Sequence, residues 1–152
     1  MAESAIYIAS DHAGWPLKEF LRERLSDATR RVVDLGPSDQ MSVDYPEYAN
    51  RLAEALRNAP ADLGLLVCGS GIGMSIAANR HRHIRAALCG EPESASLARR
   101  HNDANVLVLG GRLVGQDMAL AIVGTFLATG FDGGRHAPRV AMLSPTAHAA
   151  PS

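Results

Sequence analysis

Short apolar runs of β type alternate with stretches of helical period along most of this chain, and that alternation leaves few architectures open. Ile6 to Ser10 reads as a first strand, followed by a helix whose face carries Leu17, Phe20, Leu21 and Leu25. Val32 to Leu35 is a second strand, closed by Gly36-Pro37 and followed by a polar loop over Ser38 to Val43. Ala49, Leu52, Ala53 and Leu56 mark a second helix ending near Pro60. Leu63 to Cys68 is apolar throughout, as a strand buried on both faces should be. A glycine-rich turn over Gly69 to Gly73 leads into a third helix from Met74 to Asn79. Ile84 to Cys89 is a fourth strand, Pro92 opens a fourth helix at its favoured first position, and Val106 to Gly110 is a fifth strand. Met118, Ala119, Ile122, Val123, Phe126 and Leu127 line a fifth helix, and after Gly130 the pattern fades. Five βα units in series predict a five-stranded parallel sheet with helices on both faces. Right-handed crossovers make it one doubly wound α/β domain, of Rossmann or flavodoxin-like type.

At 152 residues the chain is one domain with room for a core, expected over 1–143, with a flexible tail over 144–152 that is rich in Ala, Pro and Ser. The formal net charge of −1 argues against a nucleic-acid partner, which calls for a basic field. No apolar run approaches the ~20 residues of a membrane span, and the first residues lack the basic and apolar regions of a secretory leader. Two cysteines, Cys68 and Cys89, read as free thiols of a cytoplasmic protein. Lys18 is the only lysine, so an anion site must draw on Arg or His.

In a doubly wound sheet ligands bind at the carboxyl ends of the strands, so the residues just after each strand matter most. Cys68-Gly-Ser-Gly-Ile-Gly73 carries the strongest signal. Alternate glycines turn the backbone sharply and expose N–H groups, and with a helix start behind them they form an anion site. The same positive end favours a thiolate beside it, which makes Cys68 a candidate base or nucleophile; the alternative is a tight turn around an inert buried cysteine. Asp11 and His12 reach the same crevice, or else cap the helix that begins near Trp15. His101-Asn-Asp103 either contributes chemistry or is an ordinary helix end, where His and Asn are favoured. His81-Arg-His83 lacks metal-ligand spacing and reads as an exposed basic turn, so no metal is expected. His136 and His148 fall in the terminal stretch. Arg112, Arg135 and Arg139 lie at or near glycine turns, and their planar forks suit phosphate oxygens.

Taken together, these segments resemble the type B ribose-5-phosphate isomerases, within the wider group that includes the galactose-6-phosphate isomerase subunits. The resemblance rests on Ser10-Asp-His-Ala-Gly14, Asp44-Tyr-Pro-Glu-Tyr-Ala49, Cys68-Gly-Ser-Gly-Ile-Gly73, Ser75-Ile-Ala-Ala-Asn79, Ile84-Arg-Ala86, Arg100-His-Asn-Asp103, Gly111-Arg112 and Gly133-Gly-Arg-His136. It implies an aldose–ketose isomerase for ribose 5-phosphate that needs no cofactor, with Cys68 as the base between C2 and C1. Members lacking this cysteine use a glutamate further along the loop helix, where this chain has Met74 and Ser75. Ser70 would assist proton handling, His101 would open the sugar ring, and Asp11 would assist at the sugar hydroxyls. The amides of Gly69, Ser70, Gly71, Ile72 and Gly73 would form the hole for the enediolate. His12, Arg112, Arg135 and Arg139 would hold the phosphate, and Tyr45 and Asn102 would touch the sugar. Ser10 stands where some members carry Cys, and the chain after Met142 is its own.

The chemistry agrees with that assignment. A proton next to a carbonyl becomes acidic only where the developing oxyanion is stabilised, and a remote phosphate supplies orientation. Allose 6-phosphate, galactose 6-phosphate and tetrulose 4-phosphates fit the same machinery, the loop from Ser38 to Tyr45 setting the pocket depth. A binding module without catalysis would need the anion loop but neither Cys68 nor His101. The topology adds one expectation. Cys68 belongs at the top of the sheet, whereas a fourth helix running down from Pro92 brings His101 and Asn102 to the bottom, with Arg135 and Arg139 after it. A homodimer, or a dimer of dimers, with active sites shared between subunits would bring the two ends together.

Overall fold

The computed structural model describes residues 4–26 and 30–144; the expected tail lies outside it except for Ser144. Its elements in chain order are β1 Ala5–Ser10, α1 Trp15–Leu25, β2 Arg31–Asp34, α2 Tyr45–Leu56, β3 Leu63–Cys68, α3 Ile72–Ala78, β4 Ala86–Leu88, α4 Pro92–Asn102, β5 Val106–Gly110, α5 Gln116–Ala128 and α6 His136–Leu143. All the strand pairs are parallel, in the order β2-β1-β3-β5-β4.

That order decides which helix covers which face. Crossovers from β1 to β2 and from β4 to β5 move one way along the sheet, and those from β2 to β3 and β3 to β4 move the other. With right-handed crossovers the first pair must lie on one face and the second on the opposite face. The cores agree. Leu17, Leu21 and Leu25 of α1, Ala95 and Ala98 of α4, and Ile122 and Phe126 of α5 pack on Ile6, Ile8, Leu65 and Leu107. Leu52 and Leu56 of α2 and Met74 and Ala78 of α3 pack on Ala9, Leu66, Val106 and Val108. The fully buried β3 and β5 lie at the centre.

Five local expectations need correction. α3 begins at Ile72, so the last two residues of the glycine turn already belong to the helix and left-handed Gly71 (φ 81°) is its cap. α2 stops at Leu56, ahead of Pro60, and Asn58 takes a positive φ of 65° in the turn. β4 is shorter than the apolar run, because the Arg85 amide donates to the Asn105 side chain at 2.7 Å while Ile84 turns into the core. The segment after Gly130 forms α6, which has no buried residue and so shows no core-facing stripe. The turn with His81 and His83 is half-buried and pinned to α2, His81 Nε2 lying 2.8 Å from Asn50 Oδ1 and His83 Nε2 2.6 Å from the Ala53 carbonyl.

Candidate active site

Cys68 is the last residue of β3 and is 5% exposed. Along β3, Leu66 and Cys68 share the face covered by α2 and α3, so the sulfur stands under the start of α3. The Gly71 amide donates to Cys68 Sγ at 3.2 Å, a contact a thiolate accepts better than a thiol. Gly71 is required for this turn: a Cβ would take an unfavourable φ and meet Leu88 Cδ1 at 2.5 Å. The Ile72 amide donates to Ser70 Oγ at 3.2 Å. Two of the amides expected to hold an oxyanion thus point at the candidate base and its neighbouring hydroxyl.

The surrounding residues converge on this loop. Gly110, opposite Cys68 in the ladder, lets Ser70 approach, since a Cβ there would lie 2.5 Å from the Ser70 carbonyl. The Arg112 amide donates to the Gly69 carbonyl at 2.9 Å, which brings the exposed Arg112 side chain beside the loop. Tyr45, at the start of α2, lays its ring over Gly73, where a Cβ would meet the ring at 2.6 Å. Buried Asp11 receives the Gly14 amide on Oδ1 at 2.9 Å; it holds the entry to α1 while Gly14 itself is the cap residue. The Val43 amide donates to His12 Nδ1 at 3.1 Å, and the Val43 carbonyl lies 3.2 Å from the same atom. With Nδ1 engaged by the Val43 backbone, Nε2 is the ring nitrogen left to face a ligand.

The other expected site residues lie at the opposite end of the sheet. His101 and Asn102 form the last turn of α4, just before β5 begins at Val106. Arg135 follows two left-handed glycines, Gly133 and Gly134, and Arg139 is on α6. The Arg100 Nε donates to Asp132 Oδ2 at 3.2 Å and the Asp132 amide to the Arg100 carbonyl at 3.0 Å, tying the Arg135 turn to α4. The rings of His101 and His136 stack with centroids 4.3 Å apart. One chain therefore assembles Asp11, His12, Tyr45, Cys68, Gly69 to Gly73 and Arg112, and separately His101, Asn102, Arg135 and Arg139.

The Ribose/Galactose Isomerase family profile matches residues 6–143. The chain belongs to that family. It is 42% identical over 139 residues to ribose-5-phosphate isomerase B of Escherichia coli, which covers 91% of this chain and 93% of that one. A ribose 5-phosphate isomerase from Thermotoga maritima superimposes with a TM-score of 0.90 at 51% identity, covering 94% of this chain and 99% of that one. A ribose-5-phosphate isomerase B from Mycoplasma genitalium, with bound ribulose-5-phosphate, does so at 0.89 and 41% identity, covering 94% and 95%.

Within this family member, His136 is the neighbour that sequence reasoning passed over. Partial desolvation, and then the charges of His101 and Arg135, push its imidazole below the ordinary range. Nothing in the residue pattern announces a stack between two histidines 35 positions apart. Cys89 is 3% exposed within the α4–α5 core, and burial pushes its thiol up, so it stays neutral. A cavity of about 440 Å³ lies along β4 and the ends of α4 and α6, lined by Asn79, Arg85 and Asn102 among others, away from Cys68. Among the described residues no three His, Cys, Asp or Glu side chains gather closely enough to hold a metal, and no helix is long and apolar enough to cross a membrane.

Proposed function

We propose that this chain interconverts ribose 5-phosphate and ribulose 5-phosphate, with Cys68 moving the proton between C2 and C1. The observation that carries the reading is Cys68 Sγ at the end of β3 with the Gly71 amide aimed at it. The thiolate takes the C2 proton, the C2 electron pair forms the double bond to C1, and the aldehyde oxygen becomes an oxyanion. The thiol returns the proton to C1 as O2 loses its proton to become the ketone oxygen and O1 gains one. Amides of Gly69 to Gly73 meet the charge of the cis-enediolate, and Ser70 and Asp11 handle the hydroxyl protons. His12 through Nε2, and Arg112, hold the phosphate. No cofactor enters this scheme. The ketose bound in the Mycoplasma genitalium relative supports the five-carbon substrate.

The remaining roles need a second copy of the chain. His101 opens the ring, Asn102 contacts the sugar, and Arg135 and Arg139 complete the phosphate grip, all four from the lower end of a partner in a homodimer. The five residues of β5 alone separate the two ends by about 15 Å. Two free thiols support a cytoplasmic setting. Ketose formation from ribose 5-phosphate, allose 6-phosphate, galactose 6-phosphate and a tetrose 4-phosphate tests the reading. The highest kcat/KM is expected for ribose 5-phosphate; a higher value for another sugar replaces the substrate, and no turnover of any returns the chain to a binding module.

A further inference from the structure

Asp103 ends α4 in the left-handed region, at φ 47° and ψ 43°. Such backbone is strained for a residue other than glycine, although Asp and Asn tolerate it best. Two arginines clasp the carboxylate. Arg99 Nη1 lies 3.3 Å from Oδ1, and Arg85 Nη2 lies 3.6 Å from Oδ2. Arg85 Nε also donates to the Asp103 carbonyl at 2.7 Å. Each arginine is anchored elsewhere. Arg99 donates to the Ala104 carbonyl at 2.5 Å and to the Thr129 carbonyl, at the end of α5, at 3.0 Å. The Arg85 amide donates to Asn105 Oδ1, and Asn105 Nδ2 to the His83 carbonyl. Through Asp103, then, the turn before β4, the last turn of α4 and the end of α5 are joined, and His101 sits two residues from the junction.

We propose that Asp103 is a positioning residue for the isomerisation: its carboxylate, held between Arg85 and Arg99, fixes the last turn of α4 so that His101 meets the sugar ring in one orientation. The inference rests on His101 as the ring-opening group. A helix cap alone does not require the carboxylate. The cap needs the Asp103 amide, which donates to the Ala98 and Arg99 carbonyls, and a left-handed backbone that Asn or Gly would also adopt. Only the charged group makes the two-arginine bridge, and that distinction separates the two roles.

Ring opening can be read alone. The Cys68→Ala enzyme cannot move the C2 proton but keeps His101, so it should still catalyse exchange between the α and β anomers of ribose 5-phosphate, followed by NMR magnetisation transfer. In that background Asp103→Asn is expected to slow the enzyme-dependent exchange about tenfold or more, because small misplacements of a reacting group carry such costs. Asp103→Gly, free of backbone strain, should lose as much; His101→Ala should abolish exchange; and binding of inorganic phosphate should be unchanged in the Asp103 variants. Undiminished exchange in Asp103→Asn, with His101→Ala still inactive, overturns the proposal and leaves the reading of His101 in place. A parallel loss of phosphate binding makes Asp103 a general structural residue and overturns it too. Absence of exchange in Cys68→Ala itself, or exchange indifferent to His101→Ala, removes the ring-opening reading and the proposal with it.

Discussion

Cys68 and His101 lie at opposite ends of one parallel sheet: Cys68 closes β3 at its carboxyl end beside Gly110, and His101 stands in the turn of α4 that leads into the amino end of β5. A site using both side chains must take them from two copies. Mixing Cys68→Ala and His101→Ala proteins tests this. A mixed dimer holds one doubly damaged site and one intact site, and random exchange makes half the dimers mixed, so about a quarter of wild-type activity should return. Demonstrated exchange with no recovered activity would place both residues in one site of one chain.

The two cysteines should separate cleanly. Cys68 takes the Gly71 amide on its sulfur, whereas Cys89 is buried among Ala95, Ala98 and other side chains of the first core. Cys68→Ala should lower kcat by orders of magnitude with phosphate inhibition retained. Cys89→Ala should leave kcat alone and cost about 1 kcal/mol of stability, as a small core truncation does. Steady-state kinetics and urea unfolding of both variants decide, and a kcat loss confined to Cys89→Ala would reverse the assignment.

Much of this arrangement was legible in the residues, for reasons that differ by element. β3 and β5 announce themselves because central strands are apolar on both faces, and the glycine loop because its backbone cannot be made otherwise. Periodicity reports elements but not their order, so the placement of β5 between β3 and β4 had no signal. α6 was invisible because hydrophobic periodicity reports burial, and Met142 and Leu143 remain 72% and 59% exposed in the single chain. The side chains of Asn79, which pairs with the Ala86 backbone, and Asn105, which takes the Arg85 amide, add to the backbone pairing at the start of β4 in a way no pattern shows. Candidate site residues were found by motif and by strand-end position, and neither signal reports which side chains meet; the His101–His136 stack and the Asp103 clasp belong to the folded chain.

The proposed phosphate grip can be tested with inorganic phosphate as a competitive inhibitor. Arg112 reaches the Cys68 loop from its own chain, and Arg135 and Arg139 belong to the lower end. Each charge-assisted contact is worth about 1.5–3 kcal/mol, so each Arg→Ala variant should weaken inhibition roughly tenfold to a hundredfold. Inhibition unchanged in all three would return these arginines to the solvated surface.

The lone lysine gives the sharpest stability test. Lys18 shares the inward side of α1 with Leu21 and Leu25 and is 0% exposed. Its ammonium donates to Asp34 Oδ1 at 2.9 Å, Asp34 Oδ2 at 3.0 Å and the Pro37 carbonyl at 2.9 Å, and it lies 3.2 Å from Glu19 Oε2. Trp15 Nε1 donates to the same Pro37 carbonyl at 3.2 Å. Lys18 therefore pins the near end of the loop whose far end His12 holds at Val43. Lys18→Met fills the space but takes the buried cation from Asp34 and Glu19, leaving them only the half-exposed Arg22, 3.7 Å from Asp34 Oδ2 and 3.0 Å from Glu19 Oε1. Removing one member of a buried pair costs about 3–5 kcal/mol, and the 29% exposure of Asp34 argues for the lower end, about 3 kcal/mol. The exposed Arg57–Glu54 pair is the control, where Arg57→Ala should cost no more than about 1 kcal/mol. Urea unfolding at fixed protein concentration measures both. Equal, small losses would mean that the Lys18 network contributes no more than a surface ion pair.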